Sequence, residues 1–356
     1  MNKIRIMVAG TANPHVPAYL RGAGRRVDTM EVVAVSDFDA ARLEQARGFP
    51  GGRPGVRFYS DYREMFEAHP EADAVMIGSD NIDHFEMFKA AVSRKLHIYM
   101  MKVISMDEDE CREMIAVGRN YDRVIQCELE LHFNPQFAYA RKLFRSGALG
   151  ELKSVYLTNI SQSPCNYFPN WGDPVLSCGG ALTDHPHPFD LIRWITGREF
   201  RTVSAVSARN QRAHLAVEDH AAITGELDDG VKYFINPSYS NLEEKVPTRR
   251  LLWPKSLECN LKLTGTKGYF SCDFFDRHVY IVGNRYVSPD RLIVDGTPRL
   301  PGDPADSLIG SFVAAIAGER KRPETTLEDS YAAIRVMNAA YESIRLEREI
   351  TLEATR

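Results

Sequence analysis

The sequence predicts an α/β chain in two parts: an N-terminal doubly wound parallel sheet, then a C-terminal α+β domain with a large, mostly antiparallel open sheet. Three observations predict it. Short β-branched runs alternate with helix-length periods through the first third, a pattern that covers both faces of a parallel sheet with helices. Beyond residue 150 the strand-like runs follow one another with few helices between them. At 356 residues the chain is also long for one core, since a domain averages about 150 residues. The change of pattern divides it into 1–126 and 127–356.

In the first part the strand-like runs are Ile4–Ala9, Glu31–Ser36, Ala74–Ile77, His97–Met101 and Arg123–Gln126. Helical periods occupy 14–24, 39–47, 61–68, 83–94 and 107–120. Ligands of such sheets sit beyond the carboxyl ends of the strands, so the residues that follow each run are the ones to inspect. In the second part the runs are Lys153–Asn159, Thr202–Ala208, Ala221–Glu226, Lys232–Asn236, Leu261–Leu263 and Val279–Val282. Gly265-Thr266-Lys267-Gly268 reads as a turn between two strands, and Thr326 opens a capped helix with an apolar face at Ala332, Val336 and Ala340.

Lys and Arg number 44 against 48 Asp and Glu, a net charge of −4 with no basic stripe to hold nucleic acid. Six cysteines, at 111, 127, 165, 178, 259 and 272, form no C-x-x-C pair, which predicts reduced thiols in a cytoplasmic protein with no metal knuckle. No run approaches the roughly 18 apolar residues that span a bilayer, and Lys3–Ala9 is too short for a leader, so neither membrane nor export is expected.

After Ile4–Ala9 comes Gly10-Thr11-Ala12-Asn13-Pro14-His15, where a dinucleotide-binding turn would read G-x-G-x-x-G. The first glycine is kept. Asn13 as N-cap and Pro14 at the first helical position would start a helix whose N-terminal N–H groups favour a diphosphate. Asp37 follows Glu31–Ser36 and sits 27 residues after Gly10, somewhat beyond the roughly 20 expected of the acid that reads the adenosine ribose. Its carboxylate would accept from the 2′-OH of NAD and repel the 2′-phosphate of NADP, and neither Phe38 nor Asp39 offers a cation. The alternatives are a plain strand-turn-helix and a turn aspartate.

The densest chemistry lies in Gly179-Gly180-Ala181-Leu182-Thr183-Asp184-His185-Pro186-His187-Pro188-Phe189-Asp190. Two carboxylates and two imidazoles at a helix mouth suit proton exchange with a substrate hydroxyl. The alternative is that Asp184 caps the helix and the histidines satisfy nearby backbone.

Ile77-Gly78-Ser79-Asp80-Asn81-Ile82-Asp83-His84, Met101-Lys102-Val103, His132-Phe133-Asn134-Pro135, Ser146-Gly147-Ala148-Leu149-Gly150 and the glycine-aspartate-histidine stretch follow in order. In that order and at those intervals they resemble the Gfo/Idh/MocA family of NAD(P)-dependent oxidoreductases, over nearly the whole chain. The resemblance implies a Rossmann-type N-terminal domain that binds NAD, with NADP less expected, through Gly10, Thr11, Ala12, Asn13, Pro14, Asp37, Ser79, Asn81 and His84. Lys102 matches the lysine of E-K-P, which hydrogen-bonds the reacting hydroxyl. His187 and Asp190 match H-x-x-D, with His187 the proton acceptor and Asp184 its upstream aspartate. His132, Tyr167, Trp171 and His185 fall where substrate is contacted. Departures are Met101 and Val103 around the lysine, Asp80 in place of proline, two lost glycines, and three residues rather than four from Asp184 to His187.

The activity implied is hydride transfer from a CH–OH group of a sugar, cyclitol or sugar derivative. His187 would take the hydroxyl proton and Lys102 stabilise the alkoxide. Alternatives are a lyase, epimerase or glycosidase that recycles NAD within each turnover, and a non-catalytic sugar- or dinucleotide-sensing regulator. The second sheet is expected to mediate homo-oligomer formation.

Overall fold

Six parallel strands make the first sheet: β1 (Ile4–Ala9), β2 (Met30–Ser36), β3 (Arg57–Tyr59), β4 (Ala74–Ile77), β5 (His97–Met100) and β6 (Ile125–Cys127), in the order β3-β2-β1-β4-β5-β6. The computed structural model describes residues 3–48, 55–161, 173–207, 215–239, 258–273, 278–283, 290–293 and 304–353. Every residue of β4 is buried, as a strand covered on both faces requires. The short edge strand β3, with no buried residue, is not among the expected elements; three residues are too few to show a period. Helices α1 (Val16–Arg25), α2 (Ala40–Arg47), α3 (Tyr62–Ala68), α4 (His84–Ser93) and α5 (Glu108–Gly118) connect the strands. Asp39, Asp61 and Asp107 cap α2, α3 and α5 by accepting from first-turn N–H groups.

The start of α1 corrects the sequence reading. The helix opens at Val16 with Pro17 in its first turn, and Asn13 and Pro14 lie before it. Asn13 Oδ1 accepts the His15 N–H at 2.9 Å, a local side-chain turn that competes with helix at asparagine.

The second sheet contains β7 (Leu152–Ser161), β8 (Thr202–Ser207), β9 (Ala221–Glu226), β10 (Lys232–Tyr239), β11 (Asn260–Gly265), β12 (Gly268–Asp273), β13 (His278–Gly283), β14 (Asp290–Ile293) and β15 (Ile350–Thr351). Their order is β14-β13-β12-β11-β7-β10-β9-β8-β15, antiparallel except where β7 meets β10. Gly265 pairs with Gly268 across the expected turn. Helices α6 (Pro135–Arg145), α7 (Ala181–Asp184) and α8 (His187–Thr196) pack against it. Val155, Leu157, Tyr233, Ile235, Leu261 and Leu263 are buried in this core. Alternation turns Tyr156, Phe234 and Val206 outward, and they are 45%, 47% and 67% exposed.

Two further helices complete the chain, α9 (Pro304–Ile316) and α10 (Leu327–Leu346). Contacts group the described residues 3–130, 173–178 and 304–334 into one unit and 131–161, 179–293 and 335–353 into the other. The last parallel strand ends at Cys127, and α9 returns to the first unit. It packs on α1, Phe312 meets the Tyr99 ring edge-on at 5.6 Å, and Gln126 Nε2 donates to Leu308 O at 2.8 Å. Thr326 and Asp329 form the expected reciprocal cap of α10, whose buried face is Ala333, Val336, Met337 and Ala340, with Ala332 only half-buried.

Phe312 is fully buried in this return, so Phe312→Ala should destabilise the first unit by about 3–5 kcal/mol, the range for deleting a core phenyl ring. Chemical denaturation checks it, and an unchanged midpoint would refute the packing of α9.

Candidate active site

The strand order reverses at β1 and β4, and the residues beyond their carboxyl ends line the crevice such a reversal opens. Gly10 has φ +83°, and a Cβ there would lie 2.3 Å from Ser79 Cα, so only glycine lets the two turns meet. Asp37 is buried. Its Oδ2 accepts from the Thr11 N–H and hydroxyl at 2.7 and 2.8 Å, its Oδ1 from the Asp39 N–H at 2.9 Å and Arg42 Nε at 3.0 Å. Arg42 also reaches Asp80, 2.9 Å from NH2 to Oδ2. A cation therefore does reach Asp37, not from the adjacent Phe38 or Asp39 but from Arg42, which the first turn of α2 swings back toward the strand end.

The residues present fit the adenosine end of a dinucleotide. The fit is one of chemistry: Gly10, Asp37, Phe38, Arg42, Ser79 and Asp83 line a cavity of only about 10 Å³, which sets an exposed aromatic ring beside a carboxylate and a guanidinium. The fit does not rest on the turn itself. Its Thr11, Asn13 and His15 N–H groups donate to Asp37, Gly78 O and Asn13 Oδ1, and Pro14 has none. Ser79 donates to Asp80 O and Asn81 Nδ2 to Ser177 O, while buried Ala12 completes the turn.

Lys102 follows β5, is 3% exposed, and precedes a cis peptide to Val103. Three side chains hold the main chain of Lys102 and Val103. Asn13 Nδ2 donates to Lys102 O at 3.2 Å, the Lys102 N–H donates to Glu128 Oε2 at 3.2 Å, and His84 Nδ1 donates to Val103 O at 2.7 Å. Burial lowers His84 to about 4, so its ring is neutral at pH 7. Glu128, fully buried, also accepts from Tyr19 OH at 3.0 Å and His15 Nδ1 at 2.5 Å. Burial opposes the charge on His15, but the Glu128 carboxylate outweighs it and lifts the imidazole to about 9. Burial, with the Glu128 charge beside it, raises Glu130 to about 7.

His15, Glu128 and Glu130 place ligand atoms within 4.8 Å of one another. A divalent ion there would displace the His15 proton from Glu128 and face the nearby Lys102 charge, so the group reads as an ion pair.

In the second unit, Glu218 organises the glycine-aspartate-histidine stretch. Its Oε1 accepts the Gly180 and Leu182 N–H groups at 3.2 and 2.9 Å, its carbonyl accepts the Ala181 N–H, and Tyr341 OH donates to it at 2.8 Å. A Cβ on Gly180 would lie 2.1 Å from Glu218 O, which explains the glycine. Asp184 ends α7, and α8 begins at His187 with Pro186 at its N-cap position. Asp184, His185 and His187 are all buried. His185 is held at both ring nitrogens, Nδ1 to Ala181 O at 2.6 Å and Nε2 to Ser161 Oγ at 2.9 Å. His132 Nε2 meets Asp190 Oδ2 at 2.8 Å, and its ring stacks on Trp194 at 4.3 Å. Tyr167 and Trp171 lie outside the described residues. Glu128, His15, Glu218 and Tyr341 went unrecognised as supports; the alternation Glu128-Leu129-Glu130 beyond a buried strand was the available signal.

Two family models match the chain: "Oxidoreductase family, NAD-binding Rossmann fold" over residues 4–129, and "GFO/IDH/MocA C-terminal domain" over 137–271. The chain belongs to the GFO/IDH/MocA oxidoreductases, and its N-terminal domain is of the nicotinamide-dinucleotide-binding type. Among particular relatives, it is 26% identical to the uncharacterized oxidoreductase YrbE of Bacillus subtilis, covering 93% of this chain and 92% of the other. It is 24% identical to an inositol 2-dehydrogenase of Rhizobium meliloti, covering 94% and 98%. In fold it matches the WlbA dehydrogenase of Chromobactrium violaceum, solved with NADH and UDP-GlcNAcA, at TM-score 0.82 and 19% identity over 100% and 98% of the two chains.

His15 titrates near 9 when folded and near its ordinary value of about 6.5 when unfolded. Its contribution to stability is therefore complete below about pH 6.5 and lost as the pH rises through about 9. Denaturation of wild type and Glu128→Gln from pH 6 to 10 should show a steeper alkaline loss in wild type; parallel profiles would remove the ion pair.

Proposed function

We propose that the protein is a dehydrogenase that oxidises a CH–OH group of a sugar, cyclitol or related polyol, using NAD in preference to NADP. The observation that carries this reading is Lys102: a buried lysine beyond the carboxyl end of β5 whose carbonyl and N–H are held by Asn13 and Glu128, with His84 on the next carbonyl, that of Val103. Such clamping serves a side chain that must meet a reacting atom in one position.

When bound, the nicotinamide supplies a hydride acceptor. The protein supplies the proton and charge chemistry. The Lys102 ammonium donates to the substrate oxygen and stabilises the negative charge that develops as the carbinol is oxidised. The His187 imidazole accepts the hydroxyl proton, and Asp184 orients it. Asn81 positions the nicotinamide end, and Asp37, Arg42 and Ser79 the adenosine end. His132, tied to Asp190, is a further substrate contact.

The aromatic and aliphatic residues on the open side of the second sheet, Tyr156, Phe234 and Val206, favour a homo-oligomer formed through that face. The free thiols at Cys111, Cys127, Cys178, Cys259 and Cys272 suit a reducing compartment such as the cytoplasm. Among the described residues no helix is long and apolar enough to cross a membrane.

With NAD and a panel of polyols, absorbance at 340 nm should report turnover in wild type. His187→Ala should lower kcat by about 10²–10⁴, the scale of lost general acid–base catalysis, and Lys102→Ala should do so with NAD binding retained. A loss below about threefold in His187→Ala would exclude it as the proton acceptor. Val206→Glu should reduce the mass seen by size-exclusion chromatography with light scattering; a monomeric wild type would refute the oligomer.

A further inference from the structure

We propose that Asp80, by holding the Arg42 guanidinium, is a specificity-determining residue that turns the adenosine end of the site against a 2′-phosphate. The proposal rests on the reading that this domain takes a nicotinamide dinucleotide at the β1, β2 and β4 ends.

Asp37 alone is an incomplete reader of the ribose. An ionised carboxylate has about four acceptor positions, and Asp37 has four donors on them: the Thr11 N–H and hydroxyl on one oxygen, the Asp39 N–H and Arg42 Nε on the other. It can accept a ribose hydroxyl only by releasing one of these. What it offers without rearrangement is its charge.

Arg42 would by itself oppose that charge, since a guanidinium near the ribose is the usual partner of a 2′-phosphate. Here it is engaged on two sides. Nε lies on Asp37, while NH1 and NH2 lie 3.4 and 2.9 Å from the two oxygens of Asp80. The side chains of Arg42, Asp37 and Asp80 are 16%, 1% and 9% exposed, so water screens the triad weakly. Two carboxylates around one guanidinium leave a net charge of −1. The half-buried Asp83 adjoins it, its carboxyl raised by burial and by the charges of Asp80 and Asp37.

Asp80 stands at the N-cap of the short turn Asn81–Asp83, yet its side chain makes no cap bond there. Its carboxylate faces Arg42 instead. Removing that charge leaves Arg42 on Asp37 through Nε and releases NH1 and NH2, the two-pronged edge that suits a phosphate. The local charge then rises from −1 to zero.

Calorimetric titration of wild type, Asp80→Asn and the double variant Asp80→Asn/Arg42→Gln with NAD+ and with NADP+ tests this. Wild type is expected to bind NAD+ at least tenfold more tightly. In Asp80→Asn the NADP+ to NAD+ affinity ratio should rise by about tenfold or more, roughly the scale of one released charge-assisted contact, and the double variant should lose that gain. On wild type alone, raising salt from about 0.02 to 0.5 M should narrow the preference, because repulsion of the 2′-phosphate is screened. An unmoved ratio in Asp80→Asn, a wild type that binds both cofactors equally, or a preference that widens with salt would overturn the assignment of Asp80. Failure of wild type to bind either dinucleotide would overturn the cofactor site itself, and the proposal with it.

Discussion

The buried carboxylate of Glu128 is the point on which the first unit's chemistry depends. It stands at the end of β6, yet its two oxygens receive groups from two other places: the Lys102 N–H beyond β5, and the His15 imidazole and Tyr19 hydroxyl from the start of α1. A fully buried carboxylate without such partners would be costly, and with them it fixes three chain segments against one another. The family's lysine normally follows a glutamate, and here Met101 occupies that place. Glu128, just beyond β6, accepts the N–H of the lysine itself.

The second unit uses the same principle at a different site. Glu218 reaches over the N-terminus of α7 and takes the N–H groups of Gly180 and Leu182, with Tyr341 of α10 donating to the same oxygen. The short α7 could not hold its shape by its own four residues, because a helix nucleus of that length is unfavourable in isolation. Support from outside therefore sets where Asp184 leaves α7 and where His187 enters α8. In both units a carboxylate distant in sequence fixes a main-chain segment, and that segment carries the candidate reactive side chain.

Much of this was legible in the chain. Strand-helix alternation located five strands of the first sheet, and the glycine-aspartate-histidine stretch marked the polar cluster of the second. What escaped were elements too short to show a period, such as β3, and competitions decided locally, such as Asn13 closing a turn instead of capping α1. The cation near Asp37 escaped for a related reason. Arg42 is five residues away in sequence, but one helical turn beyond the Asp39 cap returns it to the strand end.

Hydrophobic periodicity, turn residues and ordered motifs determined the fold class, the family and the identity of Lys102, Asp184 and His187 as reactive candidates, because each depends on neighbours close along the chain. Which groups hold them was decided only by tertiary structure. Glu128 lies 26 residues from Lys102, Glu218 lies 38 from Gly180, and Asp80 lies 38 from Arg42. A carboxylate's partner is set by burial and distance in the folded chain, and no local pattern encodes a hydrogen bond formed across a sheet.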